Sequence, residues 1–190
     1  MPKTETASHR QRLLAMLAQY SYQQGEFTLT SGERSCHYID GKQVTLRPKG
    51  AQAVGELMLA RLSASVQAVA GLTLGADPIV SAVSTVSAYG ERPLPASIVR
   101  KSPKGHGTGA YLEGPTLPAE ARVAVLEDVV TTGQSALQAA DRLQAAGYSV
   151  VQILALVDRE QGAAEQFRAR GLPFEALFTL SEVRERAGRP

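Results

Sequence analysis

Glu127 and Asp128 stand side by side after an apolar run, Arg122–Leu126, and lead through Val129 and Val130 into Thr131, Thr132, Gly133, Gln134 and Ser135. A strand that ends in hydroxyls and a glycine just before a helix is suited to an anion. Backbone N–H groups of such a turn converge on one point where the helix dipole is positive, and a phosphate monoester fits there. Gly133 permits close backbone approach, and the Thr and Ser hydroxyls add donors. The two carboxylates would repel a phosphate. Their chemistry is to accept hydrogen bonds from sugar hydroxyls, or to order Mg²⁺ through water. The plainer alternative makes Asp128 and Ser135 helix caps. The turn lacks both the Gly-Lys-Ser/Thr of a Walker loop and the G-x-G-x-x-G of a dinucleotide site.

A second group of residues is cationic. Arg100, Lys101, Lys104 and His106 fall within one short stretch and are interleaved with Gly105, Gly107 and Gly109. Several polyvalent donors on a glycine-flanked loop can wrap a pyrophosphate, and the glycines would let the loop open and close. A solvated charged turn is the alternative.

These residues need a frame to bring them together. Leu13, Leu14, Leu17 and Tyr20 recur at helical spacing and predict a helix over Ser8–Gln24, stopped by Gly25. Phe27–Asp40 reads as strand, glycine turn and strand. Pro48 opens a second helix with Val54, Leu57, Met58 and Leu62 on its apolar face. From there strands at Val66–Ala70, Ala96–Arg100, Arg122–Leu126, Val150–Val157 and Phe174–Phe178 alternate with helices at Ile79–Tyr89, Ser135–Ala146, Ala163–Arg170 and Glu182–Ala187. Residues 101–118 read as a long loop with room for a small hairpin. The alternation predicts an α/β fold: one domain with a central, mostly parallel sheet flanked by helices on both faces. Ligands of such sheets sit at the carboxyl ends of the strands. The loops after Ala70, Arg100, Leu126 and Val157 are therefore expected at one edge.

Bulk properties narrow the function classes. The chain has 190 residues, 44% hydrophobic and 20% charged, with net charge +2. That balance offers no electrostatic case for nucleic acid or membrane as main partner. No apolar run approaches the about 20 residues that span a bilayer. Met1 to Gln11 lack the apolar stretch of a signal peptide. The lone Cys36, expected as a small buried or half-buried side chain, suits a reducing compartment. A cytoplasmic setting is expected.

Val123–Ser135 resembles the phosphate-loop motif of the type I phosphoribosyltransferases: apolar strand, acidic pair, two residues, Thr/Gly-rich turn. Arg100, Lys101, Lys104, His106 and Gly107 match the Arg-Lys-x-x-Lys-x-His-Gly loop of orotate phosphoribosyltransferases, and Thr30–Asp40 resembles that family's N-terminal segment. Together the matches cover roughly Glu26 to Glu160. The resemblance implies the type I phosphoribosyltransferase fold with a small N-terminal hood over residues 1–45. It implies transfer of the ribose of phosphoribosyl pyrophosphate to orotate, giving orotidine 5′-monophosphate and pyrophosphate, in pyrimidine (UMP) biosynthesis. It assigns the phosphoribosyl pyrophosphate to Thr131, Thr132, Gly133, Gln134, Ser135, Glu127 and Asp128, with Gly75 and Ala76 of the Leu72–Pro78 turn. It gives Arg100, Lys101, Lys104 and His106 catalytic roles and places orotate against Thr131, Arg159 and Tyr38, with His37 nearby. It implies Mg²⁺ carried by phosphoribosyl pyrophosphate without a direct protein ligand, at most through water to Glu127 and Asp128. It also implies a homodimer with the basic loop shared between two sites. The chain departs from the family at Thr30, where Lys is frequent, and at Leu74, in a turn where some relatives carry Lys; Lys42 is the nearest compensating cation at the orotate end. Two alternatives use the same fold: transfer to another nucleobase, which has no use for Arg159 facing a carboxylate, and a non-enzymatic regulator that senses phosphoribosyl pyrophosphate.

Overall fold

A computed structural model of the chain describes residues 3–28, 34–103 and 111–188. Helix α1, Lys3–Met16, runs on through a π-helical turn, Leu17–Ser21, and the chain then turns straight into strand β1, Tyr22–Thr28. The predicted helix to Gln24 thus ends early, and Gly25 is not its stop. Gly25 lies inside β1, where the pairing with β2 (Arg34–Ile39) shifts register between Gln24 and Phe27. A glycine tolerates such a bulge, while the Tyr22–Ile39 pair buries both side chains and fixes where the strand begins. This antiparallel pair is a separate two-stranded sheet within residues 1–45, the segment expected to form the hood. Cys36 is exposed on β2, against the expectation of burial, because burial alternates along this edge ribbon.

The main sheet has six strands in the order β5-β4-β3-β6-β7-β8. Its parallel members are β3 (Ala68–Leu72), β4 (Ala96–Val99), β6 (Arg122–Val130), β7 (Ser149–Asp158) and β8 (Phe174–Thr179). The short β5, Leu112–Glu113, runs antiparallel along β4. It supplies the hairpin for which the sequence left room, and Leu117 beyond it is buried. The second half of the predicted loop is therefore anchored structure.

The strands are apolar on both faces because both are covered. On one side Val69, Ala124, Leu126, Leu154 and Leu156 pack against α1, α3 (Pro48–Leu59), α4 (Asp77–Ser87) and α7 (Leu180–Arg186). On the other, Ala68, Ala70, Val123, Val125 and Ile153 meet Ala139, Ala140 and Leu143 of α5 (Gln134–Ala145) and Phe167 of α6 (Ala163–Ala169). A short helix, α2 (Lys42–Thr45), links the hood to α3.

The chain leaves β3 for β4 on one side, then crosses to β6 on the other. The direction of winding therefore reverses between β3 and β6. At such a switch point the two outgoing loops part and leave a crevice at the strands' carboxyl ends. The turn into α4 and the turn into α5 form its walls.

Candidate active site

The crevice has a volume of 650 Å³. Residues 131–135 line it together with Glu127, Asp128, Gly75, Tyr38, Lys42, Lys101 and Arg159. Elements far apart in sequence thus bring most of the predicted site to one place.

The acids owe their positions to β6, which runs past Leu126 to Val130 where the sequence reading ended it. Pairing with β7 extends it: Glu127 lies opposite Ala155 and Val130 opposite Asp158. Both acids line the crevice from successive positions on β6, close enough for Asp128 to act on Glu127. Glu127 is only 6% exposed, and its Oε2 has no hydrogen-bond partner. Burial, reinforced by the neighbouring Asp128, pushes its carboxyl well above the usual range, against a smaller opposing pull from Lys101. Asp128 instead rests between two glycines. A Cβ on Gly41 would lie 2.9 Å from the Asp128 Cβ, and one on Gly75 would overlap its carboxylate. Glycine at 75 is therefore required by close approach.

Gly133 begins α5 with φ +85° and no side-chain cap. This removes the capping alternative for Asp128 and Ser135. The helix's first N–H groups face the crevice uncapped, the arrangement that binds anions. A Cβ on Gly133 would stand 2.6 Å from Phe167 Cζ, so glycine is needed here for space as well as for φ.

At the β7 end, Arg159 is 5% exposed. Its Nη2 donates to Ser35 Oγ at 3.0 Å and to the His37 carbonyl at 3.1 Å. Ser35 also accepts from the His37 N–H at 3.1 Å. The hood strand β2 thereby fixes the guanidinium at the crevice. Burial, aided by Arg184 and Arg159, lowers the His37 pKa, which keeps its imidazole neutral beside the Tyr22 hydroxyl, 2.8 Å from Nδ1. Tyr38 stacks on Phe27 with ring centroids 5.3 Å apart and presents its remaining surface to the crevice. Lys42 bonds Asp40 at 2.7 Å, which raises its pKa and keeps it charged.

Other predicted residues fall elsewhere. Ala76 lies beneath the crevice, fully buried, with its N–H directed at the Leu72 carbonyl. Only Gly75 of that pair reaches the surface of the crevice, since the N–H of Ala76 is already turned into the start of α4. Leu74 is 65% exposed and contributes no charge. Arg100 is turned away from the crevice: its Nη1 donates to Glu113 Oε1 at 3.0 Å, while Lys101 next to it faces in. Thr30, Lys104 and His106 lie outside the described residues. Sequence reasoning missed Ser35, whose role depends on an arginine distant in the chain, and Gly41, whose only signal was glycine before a helix.

The doubly wound sheet, with its crevice at the switch point and a hydroxyl-rich turn opening α5, is the type I phosphoribosyltransferase fold. No family model matches the sequence. Curated relatives do: the orotate phosphoribosyltransferase of a Nostoc species is 58% identical over 96% of this chain and 88% of its own. That of a Synechocystis species is 57% identical over 94% and 90%. Among solved structures, Mycobacterium tuberculosis orotate phosphoribosyltransferase in complex with phosphoribosyl pyrophosphate is 34% identical, with a TM-score of 0.74 over 92% of this chain and 98% of that one. The chain belongs to the orotate phosphoribosyltransferase family.

Proposed function

We propose that this chain joins orotate to phosphoribosyl pyrophosphate, releasing pyrophosphate and forming orotidine 5′-monophosphate. The observation that carries this reading is the pairing, in one 650 Å³ crevice, of an uncapped phosphate turn with a buried arginine fork. The turn 131–135 takes the 5′-phosphate. Asp128 and Glu127 accept from the ribose hydroxyls, and burial beside Asp128 raises the Glu127 pKa. Gly75 and Lys101 take the pyrophosphate. Arg159 holds the orotate carboxylate by its planar fork, and Tyr38 and Thr131 flank the base.

The C1′–N1 bond to orotate forms as the C1′–O bond to pyrophosphate breaks, and the orotate N1 proton passes to the departing pyrophosphate. No covalent nucleophile on the protein is needed. Acceleration comes from positioning and from cations aimed where the leaving group gains charge. Lys104 and His106 belong to this cationic set by motif. Mg²⁺ fits the same reading: the partnerless Glu127 Oε2 and the Asp128 carboxylate would hold it through water. When bound with the substrate, it would supply positive charge at the pyrophosphate end.

The reading includes a homodimer. Leu46 and Tyr89 are 70% and 90% exposed beside an apolar groove between α3 and α4, and such patches favour association. Arg100, directed away from its own crevice, would then serve the partner's. Among the described residues no helix is long and apolar enough to cross a membrane, and a cytoplasmic setting is part of the proposal. The test is one spectrophotometric assay: orotate, phosphoribosyl pyrophosphate and Mg²⁺, with and without EDTA, against adenine, hypoxanthine and uracil. Orotate alone should be consumed, and only with metal. Equal use of another base would reject the assignment of Arg159.

A further inference from the structure

Arg142 stands near the end of α5, the helix whose start carries the phosphate turn, and lies outside the crevice. Its Nη1 donates to the Arg100 carbonyl and its Nη2 to the Lys101 carbonyl, the latter at 2.9 Å. Its guanidinium also covers the Tyr111 ring, 4.3 Å from the centroid. The Arg100 N–H in turn donates to the Tyr111 carbonyl at 2.8 Å. One side chain therefore grips both described ends of the basic segment, Arg100 with Lys101 on one side and Tyr111 on the other.

The chemistry explains why an arginine does this. Strand β4 ends at Val99, so the carbonyls of Arg100 and Lys101 have left the sheet and need donors. A guanidinium offers two N–H groups in a fixed plane and stacks on an aromatic ring at the same time. With its carbonyl held, Lys101 sends its side chain into the crevice, near enough to Glu127 to influence its ionisation.

We propose that Arg142 is a positioning residue: it fixes Lys101 at the pyrophosphate end of the crevice from the helix that faces the 5′-phosphate. This rests on the pyrophosphate role given to Lys101 above. Helix α5 then serves both anionic ends of one substrate, directly through its first turn and indirectly through Arg142.

Calorimetry on the full chain tests it with two probes, Mg²⁺-pyrophosphate and ribose 5-phosphate. Arg142→Gln should weaken pyrophosphate binding about tenfold and leave ribose 5-phosphate within about twofold, the size of effect expected for contacts coupled through a neighbour. In a Lys101→Ala background the same substitution should cost nothing further. Arg142→Lys, which keeps a cation over Tyr111 but loses the fork, should fall between and keeps the test readable if the Gln variant folds poorly. Unchanged pyrophosphate affinity, an equal loss in both backgrounds, or loss of both ligands with a lower melting temperature would each overturn the proposal. Failure of the wild type to consume orotate would instead reject the function proposed above, while the pyrophosphate comparison still judges Arg142.

Discussion

Adjacent residues of one strand, Glu127 and Asp128, meet opposite surroundings, and their chemistry separates accordingly. Asp128 lies against glycine backbone at the crevice, whereas Glu127 is enclosed and favours its proton. An acid whose pKa is higher in the folded chain binds more protons there than when unfolded. Its stabilising contribution is therefore complete below the unfolded value of 4.5 and is lost as pH climbs through the raised folded value. Glu127→Gln removes this titration. Urea denaturation across a pH series should show wild-type stability falling, relative to the variant, from about pH 4.5 upward; a constant difference would mean that folding does not raise the Glu127 pKa. Lys101 makes a different kind of prediction, because a cation matched to a leaving group matters most when charge develops. Lys101→Ala should lower kcat about 100-fold while the affinity for orotate changes less than about threefold. Steady-state kinetics with an orotate titration measure both, and unchanged turnover would remove Lys101 from the chemistry.

At the scale of elements, the turn between β6 and α5 is the part least able to change. Gly133 combines φ +85° with Phe167 pressed against the space a Cβ would fill. Gly147, which ends the same helix at φ +86°, has nothing within 4 Å of that space. Gly147→Ala should therefore cost about 1 kcal/mol, the conformational part alone. Gly133→Ala adds overlap in a packed core and should cost about 2–4 kcal/mol, with weaker ribose 5-phosphate binding. Chemical denaturation of the two variants gives the comparison; equal losses would mean that Phe167 moves aside freely. The same turn was legible in the sequence, since hydroxyls and a glycine between an apolar run and a helical stripe leave few other readings. The central parallel strands were legible from their largely apolar runs, whereas Phe174–Phe178, interrupted by Glu175, reads only as a weak strand. What escaped reading depended on partners distant in the chain. The extension of β6 through both acids comes from β7, the start of β1 from its pairing with β2, and the inward and outward aims of Lys101 and Arg100 from Arg142 and Glu113.

The molecule as a whole carries a crevice whose own Arg100 looks outward and an exposed apolar face at Leu46 and Tyr89. Both observations have one explanation if two copies associate and each lends Arg100 to the other. Leu46→Glu with Tyr89→Glu should then shift the chain to a monomer in sedimentation and reduce turnover with it. Exchange of residues between copies gives the sharper test. Mixing Arg100→Ala subunits with Asp128→Asn subunits places both lesions in one of a mixed dimer's two sites and leaves the other intact. Random reassortment makes half the dimers mixed, so about a quarter of wild-type activity should return from two nearly inactive proteins. If Arg100 served its own crevice, every site in the mixture would hold one lesion and activity would stay at the level of the parents. Recovery depends on the two inactive proteins exchanging subunits, so it should vanish when either parent also carries the Leu46→Glu and Tyr89→Glu changes. That dependence ties the apolar face, the outward arginine and the chemistry of the crevice to a single assembly.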